Sequence, residues 1–370
     1  MTKIKERGEV AVQLNHLLDF GEMTLPEWDG LYQTVEQIID HPEDFLDACR
    51  GKVLATTFFE PSTRTIFSFQ AAALRLGATY ISFSDPNNSS VSKGETLRDT
   101  IRIVANYTDT IAIRHSLEGA AKAASFYSPV PIVNAGDGGH LHPTQTLADL
   151  VTIRRRIGRT EGLSIGLCGD LKYGRTVHSL LGAMTRFPGN KFYLVSTPEL
   201  RVPRYVIDIL EAGGHEYHEV STLDECIGAL DVLYMTRIQK ERFASEQEYK
   251  SQAGIYILDG EKMKKAGDHM LVLHPLPKID EITDEVDLDP RCIYFDQARY
   301  GMFARMGLLL SLMHKGRLSP VYPESNVEEM RCHNPKCITN HERYLPQRFI
   351  RPEQNPAELR CEYCDAPARL

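Results

Sequence analysis

Short apolar runs alternate with amphipathic stretches through the first part of the chain. Runs of this kind predict buried strands, and the stretches between them have the periodicity of helices. The predicted strands are Val53–Phe59, Thr79–Phe83, Thr110–Ile113 and Val130–Val133, and the predicted helices are Ile66–Leu76 and residues 96–107. Strands that alternate with helices indicate a parallel sheet covered on both faces. This block therefore predicts an α/β domain.

A second block with the same alternation follows a basic helical segment, Gln145–Arg156. Its predicted strands are Ser164–Cys168, Lys191–Val195, Val232–Met235 and Met270–Leu273, with a helix at Pro203–Ala212. We expect a long helical pattern, Ala298–His314, to return to the first domain, and Ser319–Pro323 to link to a loop-rich tail. The prediction is two α/β domains with a cleft between them (residues 1–150 with a returning helix at 296–318, and 151–295), followed by a small domain at 319–370.

Composition narrows the class of protein. The 370 residues are 42% hydrophobic and 25% charged, which is typical of a globular enzyme. A net charge of −8 argues against nucleic acid as the main partner, because nucleic-acid-binding domains are usually basic.

No segment approaches the roughly 20 apolar residues of a membrane helix. The charged N-terminus has no apolar run behind it, so we expect no signal peptide and a cytoplasmic location.

The hexapeptide Glu60–Thr65 lies directly between a predicted strand and a predicted helix. Such a junction offers unpaired backbone N–H groups and the positive end of a helix dipole, which suit an anion. Three hydroxyl groups and one arginine match the many acceptor oxygens of a phosphate. An ordinary helix N-cap would use the same residue types, so the hexapeptide alone leaves both interpretations open.

Four of the eight cysteines fall in the last 39 residues. They form two close pairs, Cys332 with Cys337 and Cys361 with Cys364, and four thiolates arranged in this way are typical of a tetrahedral structural zinc site. The alternative is four free thiols, which would leave the tail with little core and nothing to hold it together. His333 and His341 are nearby possible ligands, but four cysteines already close the shell. We therefore predict one structural zinc ion per chain and no catalytic cofactor.

Several motifs together carry a family resemblance. Phe58–Thr65 resembles the carbamoyl phosphate loop of the aspartate and ornithine carbamoyltransferases, and the resemblance runs from about residue 10 to residue 318. Six further motifs occur in the family's order, namely Ser92–Thr96, Ile113–His115, His142–Gln145, Gly169–Arg175, Thr236–Glu241 and His274–Pro277. The resemblance implies two doubly wound parallel-sheet α/β domains of the carbamoyltransferase type, here followed by a small four-cysteine zinc-binding domain.

The resemblance also implies an activity and roles for particular residues. It implies transfer of the carbamoyl group of carbamoyl phosphate to an amine, in the aspartate branch an early step of pyrimidine (UMP) biosynthesis. Ser62, Thr63, Arg64, Thr65 and Arg114 would hold the phosphate, His142 the carbamoyl oxygen, and Gln145 with the backbone of Leu276 and Pro277 the carbamoyl NH2 group. Considered alone, His142 would be a helix cap and Arg114 a surface arginine.

Two places favour L-aspartate over ornithine as the acceptor. Arg237 and Gln239 resemble the carboxylate-binding residues of the aspartate enzymes, and His274–Pro277 lacks the cysteine typical of the ornithine enzymes. A dicarboxylate needs guanidinium groups, which Arg175 and Arg237 supply, whereas ornithine would need an acidic partner. A carbamoyltransferase for another amine such as ornithine stays the alternative.

Ser89 and Lys93 lie in a polar, Asn- and Ser-rich stretch that by itself reads as a surface loop. In the family this loop enters the active site of a neighbouring subunit in a trimer. The resemblance therefore implies a homotrimer, or a multiple of trimers, with shared active sites.

The segments Arg331–Asn340 and Arg360–Cys364 resemble the zinc domain of the separate regulatory chain of bacterial aspartate carbamoyltransferases. No counterpart of that chain's nucleotide-binding domain is visible, which argues against nucleotide regulation by this chain. We hypothesise that the fused module clamps subunits together. A separate regulatory chain or a dihydroorotase is a possible partner. A zinc-ribbon nucleic-acid-binding protein and a catalytically silent scaffold are the remaining alternatives.

Overall fold

A computed structural model describes residues 13–83, 90–238, 245–252, 254–327, 329–351 and 358–368 of the chain. It divides into unit 1, Met1–Thr144 with Met302–Leu370, and unit 2, Gln145–Gly301. Each unit contains a parallel sheet with helices. The predicted fold class, two parallel-sheet α/β domains with a small four-cysteine domain, is confirmed.

The sheet of unit 1 has four parallel strands in the order β2-β1-β3-β4. The strands are β1 (Val53–Phe58), β2 (Thr79–Phe83), β3 (Thr110–His115) and β4 (Ile132–Asp137). The two central strands are buried almost throughout, as expected where helices cover both faces. The edge strand β2 is mostly exposed. Four helices accompany the sheet, namely α1 (Leu25–Asp40), α2 (Thr63–Arg75), α3 (Leu97–Val104) and α4 (Ala120–Tyr127).

The sheet of unit 2 has five parallel strands in the order β7-β6-β5-β8-β9. The strands are β5 (Ser164–Cys168), β6 (Lys191–Val195), β7 (Glu216–Val220), β8 (Val232–Met235) and β9 (Leu271–Leu273). Strand β7 was not predicted from the sequence, because this edge strand is largely charged and exposed and has no apolar run. The helices are α5 (Pro143–Ile157), α6 (Arg175–Met184), α7 (Arg204–Ala212), α8 (Glu246–Gln252) and α9 (Gly260–Lys265).

The long C-terminal helix, α10, spans Tyr294–Leu312 and so begins and ends slightly earlier than its sequence pattern predicts. Its final part belongs to unit 1. There Gly307 lies against α1, and a Cβ atom at this position would stand 2.7 Å from Val35 Cγ2. A small residue is therefore required for the two helices to approach this closely.

The four-cysteine module, the described parts of residues 325–368, has little regular structure. Strands β10 (Phe349–Ile350) and β11 (Arg360–Cys361) form an antiparallel pair, and one turn of 3₁₀ helix spans Ile338–Asn340. The apolar side chains of the module join the same hydrophobic cluster as those of α3, β3 and α4. The module therefore packs on the sheet domain of its own chain.

No helix among the described residues combines the length and the apolar character that a membrane crossing requires.

Candidate active site and candidate metal centre

The phosphate loop predicted from the sequence forms the start of α2. Ser62 precedes the helix with an extended backbone, and its side chain caps none of the first-turn N–H groups of this described helix. Instead the Ser62 hydroxyl donates to Thr65 Oγ1 over 3.0 Å. Thr63 and Arg64 are exposed, and Thr65 is buried. Ser62 therefore does not cap α2 through its side chain, and a helix N-terminus of this kind suits an anion.

Arg114 lies at the end of β3 and is only 8% exposed. Its guanidinium donates to the Ala135 carbonyl over 3.2 Å and pairs with Glu60 over 2.9 Å. Burial lowers the pKa of Arg114, and the charge of Glu60 opposes this shift. Sequence analysis did not identify Glu60 as a partner, although it stands in the same motif as Arg64.

Gly136 brings Arg114 and His142 together. A Cβ atom at Gly136 would stand 2.7 Å from Arg114 Nη1 and 3.4 Å from His142 Cδ2, and the backbone there has a φ of +116°. A larger residue would meet both side chains. His142 is buried, and its Nδ1 lies 3.5 Å from the Thr144 hydroxyl.

The turn that leads to His142 is held by Asp137. The carboxylate of Asp137 accepts from the backbone N–H groups of Leu141 and Gly119 and contacts His140 Nδ1 at 3.0 Å. Burial alone would raise the pKa of Asp137, but the charge of His140 and these hydrogen bonds hold it below its usual value. The turn is therefore fixed by an ionised group that sequence analysis did not single out.

In unit 2, the segments that carry Arg175 and Arg237 follow the neighbouring strands β5 and β8. Gly169 allows the two segments to touch, since a Cβ atom there would lie 2.3 Å from the Thr236 carbonyl oxygen. The Thr236 hydroxyl accepts from the Asp170 N–H over 3.1 Å. Arg175 begins α6, and both arginines are partly exposed. Two guanidinium groups are thus carried at the carboxyl end of one sheet, where α/β folds bind ligands.

Gln145 and the His274–Pro277 segment also belong to unit 2. Gln145 Nε2 donates to Asp149 over 2.7 Å, one helical turn further along α5. Leu276 has a φ of +55°, and its N–H donates to His274 Nδ1 over 2.7 Å. His274 in turn contacts Glu281 at 2.7 Å, so the unusual backbone at Leu276 is held by buried polar groups.

The remaining predicted site residues give less information. Lys93 is exposed at the end of a 3₁₀ turn, Ser90–Lys93. Ser89 and Gln239 lie outside the described residues.

The four cysteines converge as their spacing predicted. Their sulfur atoms lie within 4.8 Å of one another, and all four side chains are buried. The Cys332–Cys364 and Cys337–Cys361 sulfur pairs are 3.6 and 3.8 Å apart. A tetrahedron with metal–sulfur bonds of about 2.3 Å has edges of about 3.8 Å, so the arrangement fits zinc. Nε2 of His341 contacts the Pro335 carbonyl oxygen at 2.8 Å.

Within unit 1, the module contacts the sheet domain next to the segments that carry Arg114 and His142. Glu118, three residues beyond β3, exchanges backbone hydrogen bonds with Lys336 and Ile338, both of 2.9 Å. Gly119 lies against Tyr363, and His140 contacts Asp365 at 2.8 Å. The four-cysteine module is therefore docked in cis, on the loops that follow the strands of the sheet.

Three family models match successive parts of this chain. The family model for the carbamoyl-P binding domain of aspartate/ornithine carbamoyltransferases matches residues 15–155, and the Asp/Orn binding domain matches residues 161–312. The metal-binding domain of the aspartate carbamoyltransferase regulatory chain matches residues 325–369. The chain belongs to the aspartate/ornithine carbamoyltransferase family.

Individual relatives agree with the family models. The aspartate carbamoyltransferase catalytic subunit of Clostridium perfringens is 55% identical over 299 residues, which span 80% of this chain and 97% of that protein. The catalytic subunit of M. jannaschii aspartate transcarbamoylase has a TM-score of 0.77 and 45% identity, covering 81% of this chain and 98% of that one. Aspartate transcarbamoylase from Trypanosoma cruzi, solved with N-(phosphonacetyl)-L-aspartic acid, has a TM-score of 0.75 and 38% identity, covering 80% and 95%.

Proposed function

We propose that this enzyme transfers the carbamoyl group of carbamoyl phosphate to the α-amino group of L-aspartate, giving N-carbamoyl-L-aspartate and phosphate. The observation that carries the proposal is the pair Arg175 and Arg237, placed after neighbouring strands of unit 2 and suited to two carboxylates. Relatives named aspartate carbamoyltransferase support the same acceptor. The product feeds pyrimidine biosynthesis, and we place the reaction in the cytoplasm.

In the proposed mechanism, the α2 N-terminus binds the phosphate through Ser62, Thr63, Arg64 and Thr65. Arg114 exchanges its ion pair with Glu60 for one with the phosphate. Lys93 and Ser89 would add contacts to the same anion. Phosphate oxygens outcompete one carboxylate here because they offer more charge and more acceptors.

The amine nitrogen of aspartate attacks the carbamoyl carbon, and the bond from that carbon to the phosphate oxygen then breaks. His142 donates to the carbamoyl oxygen, which carries negative charge in the tetrahedral intermediate. Gln145 and the backbone of Leu276 and Pro277 hold the NH2 group. The departing phosphate accepts the proton of the amine. Positioning and charge stabilisation supply the rate, with no covalent enzyme intermediate.

Arg175, Arg237 and Gln239 bind the carboxylates of aspartate in this scheme. The test is a product assay by mass spectrometry with aspartate and ornithine in competition. Arg237→Ala should lose aspartate activity by at least about a hundredfold, since a charge-assisted pair is removed. Arg201→Ala, at an exposed arginine of the same unit, is the matched control. Carbamoylation of ornithine in preference to aspartate would refute the proposed substrate.

For the domains, we assign carbamoyl phosphate binding to residues 1–150 with the returning helix 296–318, and aspartate binding to residues 151–295. Residues 319–370 form the linker and zinc domain.

We further propose one structural Zn²⁺ per chain, bound by Cys332, Cys337, Cys361 and Cys364. Metal analysis of the purified protein tests both the identity of the ion and the stoichiometry.

We also propose a homotrimer, or a multiple of trimers, with shared active sites. The exposed edge strand β2 supports this proposal, because Tyr80 and Ile81 present apolar surface there and Phe67 of α2 is 63% exposed. Exposed apolar strand edges are usually covered in a native assembly. Mixing Lys93→Ala chains with Arg64→Ala chains should restore some activity, since hybrid trimers regain complete sites. No recovery in verified hybrids would overturn the shared site.

A further inference from the structure

One buried carboxylate connects the parts of unit 2 that the proposed mechanism assigns to the carbamoyl NH2 group. Asp149 lies on α5 and is fully buried. Its Oδ1 accepts from Gln145 Nε2 over 2.7 Å and from Gln297 Nε2 over 2.6 Å. Its Oδ2 accepts from the Tyr234 hydroxyl over 3.1 Å. A carboxylate can be buried at low cost only when donors surround it in this way.

These contacts determine which way the two amides face. A carboxylate only accepts hydrogen bonds, so Gln145 and Gln297 must both present their NH2 groups to Asp149. The carbonyl oxygen of Gln145 then faces away from the carboxylate. This orientation is the one that can accept a hydrogen bond from a substrate NH2 group.

The second amide, that of Gln297, connects Asp149 to the 274–277 segment. Gln297 Oε1 accepts from the backbone N–H of His274 over 2.9 Å. His274 Nδ1 in turn accepts from the N–H of Leu276. Leu276 has a positive φ, a conformation that L residues rarely adopt, so it depends on such contacts.

We propose that Asp149 is a positioning residue for carbamoyl transfer, whose carboxylate orients the Gln145 amide and, through Gln297, the backbone at Leu276 toward the NH2 group of carbamoyl phosphate. This inference rests on the proposed function. Asp149 itself touches no substrate. It acts by making one orientation of Gln145 more stable than the flipped one.

The experiment compares two acyl phosphates that differ at this group alone. Acetyl phosphate carries a methyl where carbamoyl phosphate carries NH2, so the ratio of its inhibition constant to the KM of carbamoyl phosphate measures recognition of NH2. In Asp149→Asn the new amide can donate to the Gln145 oxygen and reverse that amide. We expect the ratio to fall about tenfold, the value of one hydrogen bond, with little change for acetyl phosphate.

Tyr234→Phe is the matched control, because it removes a donor to the same carboxylate without touching Gln145. It should lower the melting temperature and keep the ratio. Gln145→Leu should lower the ratio as Asp149→Asn does, and the double variant should lose no more than either single variant. If Asp149→Asn fails to fold, Gln297→Met carries the test and should lower the ratio.

Parallel weakening of both ligands in Asp149→Asn, with an unchanged ratio, would overturn the inference and leave a purely structural role. A wild-type ratio in folded Gln297→Met would overturn the connection to Leu276. Failure of the wild-type enzyme to carbamoylate aspartate would instead refute the proposed function, so the two failures are distinguishable.

Discussion

The parallel sheet of unit 1 and the four-cysteine module belong to one hydrophobic cluster, yet they are held together differently. The central strands β1 and β3 are buried along nearly their whole length, and helices cover them. The module has two strands of two residues each and four buried thiols. Burial of apolar surface stabilises the sheet, whereas we expect the module to depend on a bound metal and on the surface beneath it.

Removal of the metal should have the largest effect, confined to the module. The Cys361→Ala variant should lose the bound metal. The free energy of unfolding of the module should fall by an amount on the order of 10 kcal/mol, because structural zinc supplies binding energy of that size to folding. Hydrogen exchange should rise across residues 329–351 and 358–368 and stay slow in β1 and β3. Cys292→Ala, at a cysteine outside the cluster, is the control. Unchanged protection in the metal-free module would contradict the comparison.

A cavity in the sheet should lower the stability of the protein and leave the metal in place. Ile111 of β3 is fully buried, and Ile111→Ala should destabilise the protein by about 2–5 kcal/mol. The metal content should stay the same, since no ligand is disturbed. Ile103→Ala removes the same atoms from a side chain that is 50% exposed, and should change the unfolding free energy far less. Denaturant unfolding with metal analysis measures both quantities.

A larger side chain at Gly119 should weaken the contact between the sheet domain and the four-cysteine module. Its φ is +82°, and a Cβ atom there would lie 2.5 Å from the Tyr363 carbonyl oxygen. Gly119→Ala should cost about 2–4 kcal/mol, from the left-handed backbone and the clash together. Gly51 has a φ of +80° with nothing within 4 Å, so Gly51→Ala isolates the backbone part. Equal destabilisation of the two variants in thermal melts would mean that Tyr363 does not dock closely.

The smallest expected effect is a dependence of stability on pH, which comes from His115 on the sheet side of this contact. Burial lowers the pKa of His115 to about 4, with Asp137 opposing the shift and His341 adding to it. Nδ1 of His115 accepts from the Leu117 N–H over 2.9 Å. Because the folded state takes up its proton at lower pH than the unfolded state, stability is complete above about pH 6.5 and falls toward pH 4.

Protonation of His115 should lower the free energy of unfolding by about 1.4 kcal/mol when the pH falls from 7.5 to 5.5. His115→Asn keeps an acceptor near the Nδ1 position without a proton to gain, so its melting temperature should fall less over that range. Subtracting the two profiles cancels any loss of metal common to both proteins. An identical pH slope in wild-type and variant would assign the acid sensitivity to other groups.

Sequence patterns located most regular elements, because buried parallel strands leave continuous apolar runs. The strands at Thr79–Phe83, Ser164–Cys168, Lys191–Val195 and Val232–Met235 agree with the structure residue by residue. The charged edge strand β7 left no such run and was missed. The chemistry-bearing residues were named from motifs, while Glu60, Asp137 and Asp149 were not identified as their partners. Asp149 did leave a local signal, its spacing of four residues from Gln145 on a helix.

The two α/β blocks, the family motifs and the four clustered cysteines can be read from the sequence, since each depends on periodicity or spacing within a short stretch. Tertiary packing, in contrast, decided that the module docks on its own chain, against Glu118 and Gly119. It also decided that the buried carboxylate of Asp149 joins two distant amides. Apart from the Gln145–Asp149 pair, these contacts join residues far apart in the chain, and no local pattern encodes which buried groups meet once the sheets and helices have packed.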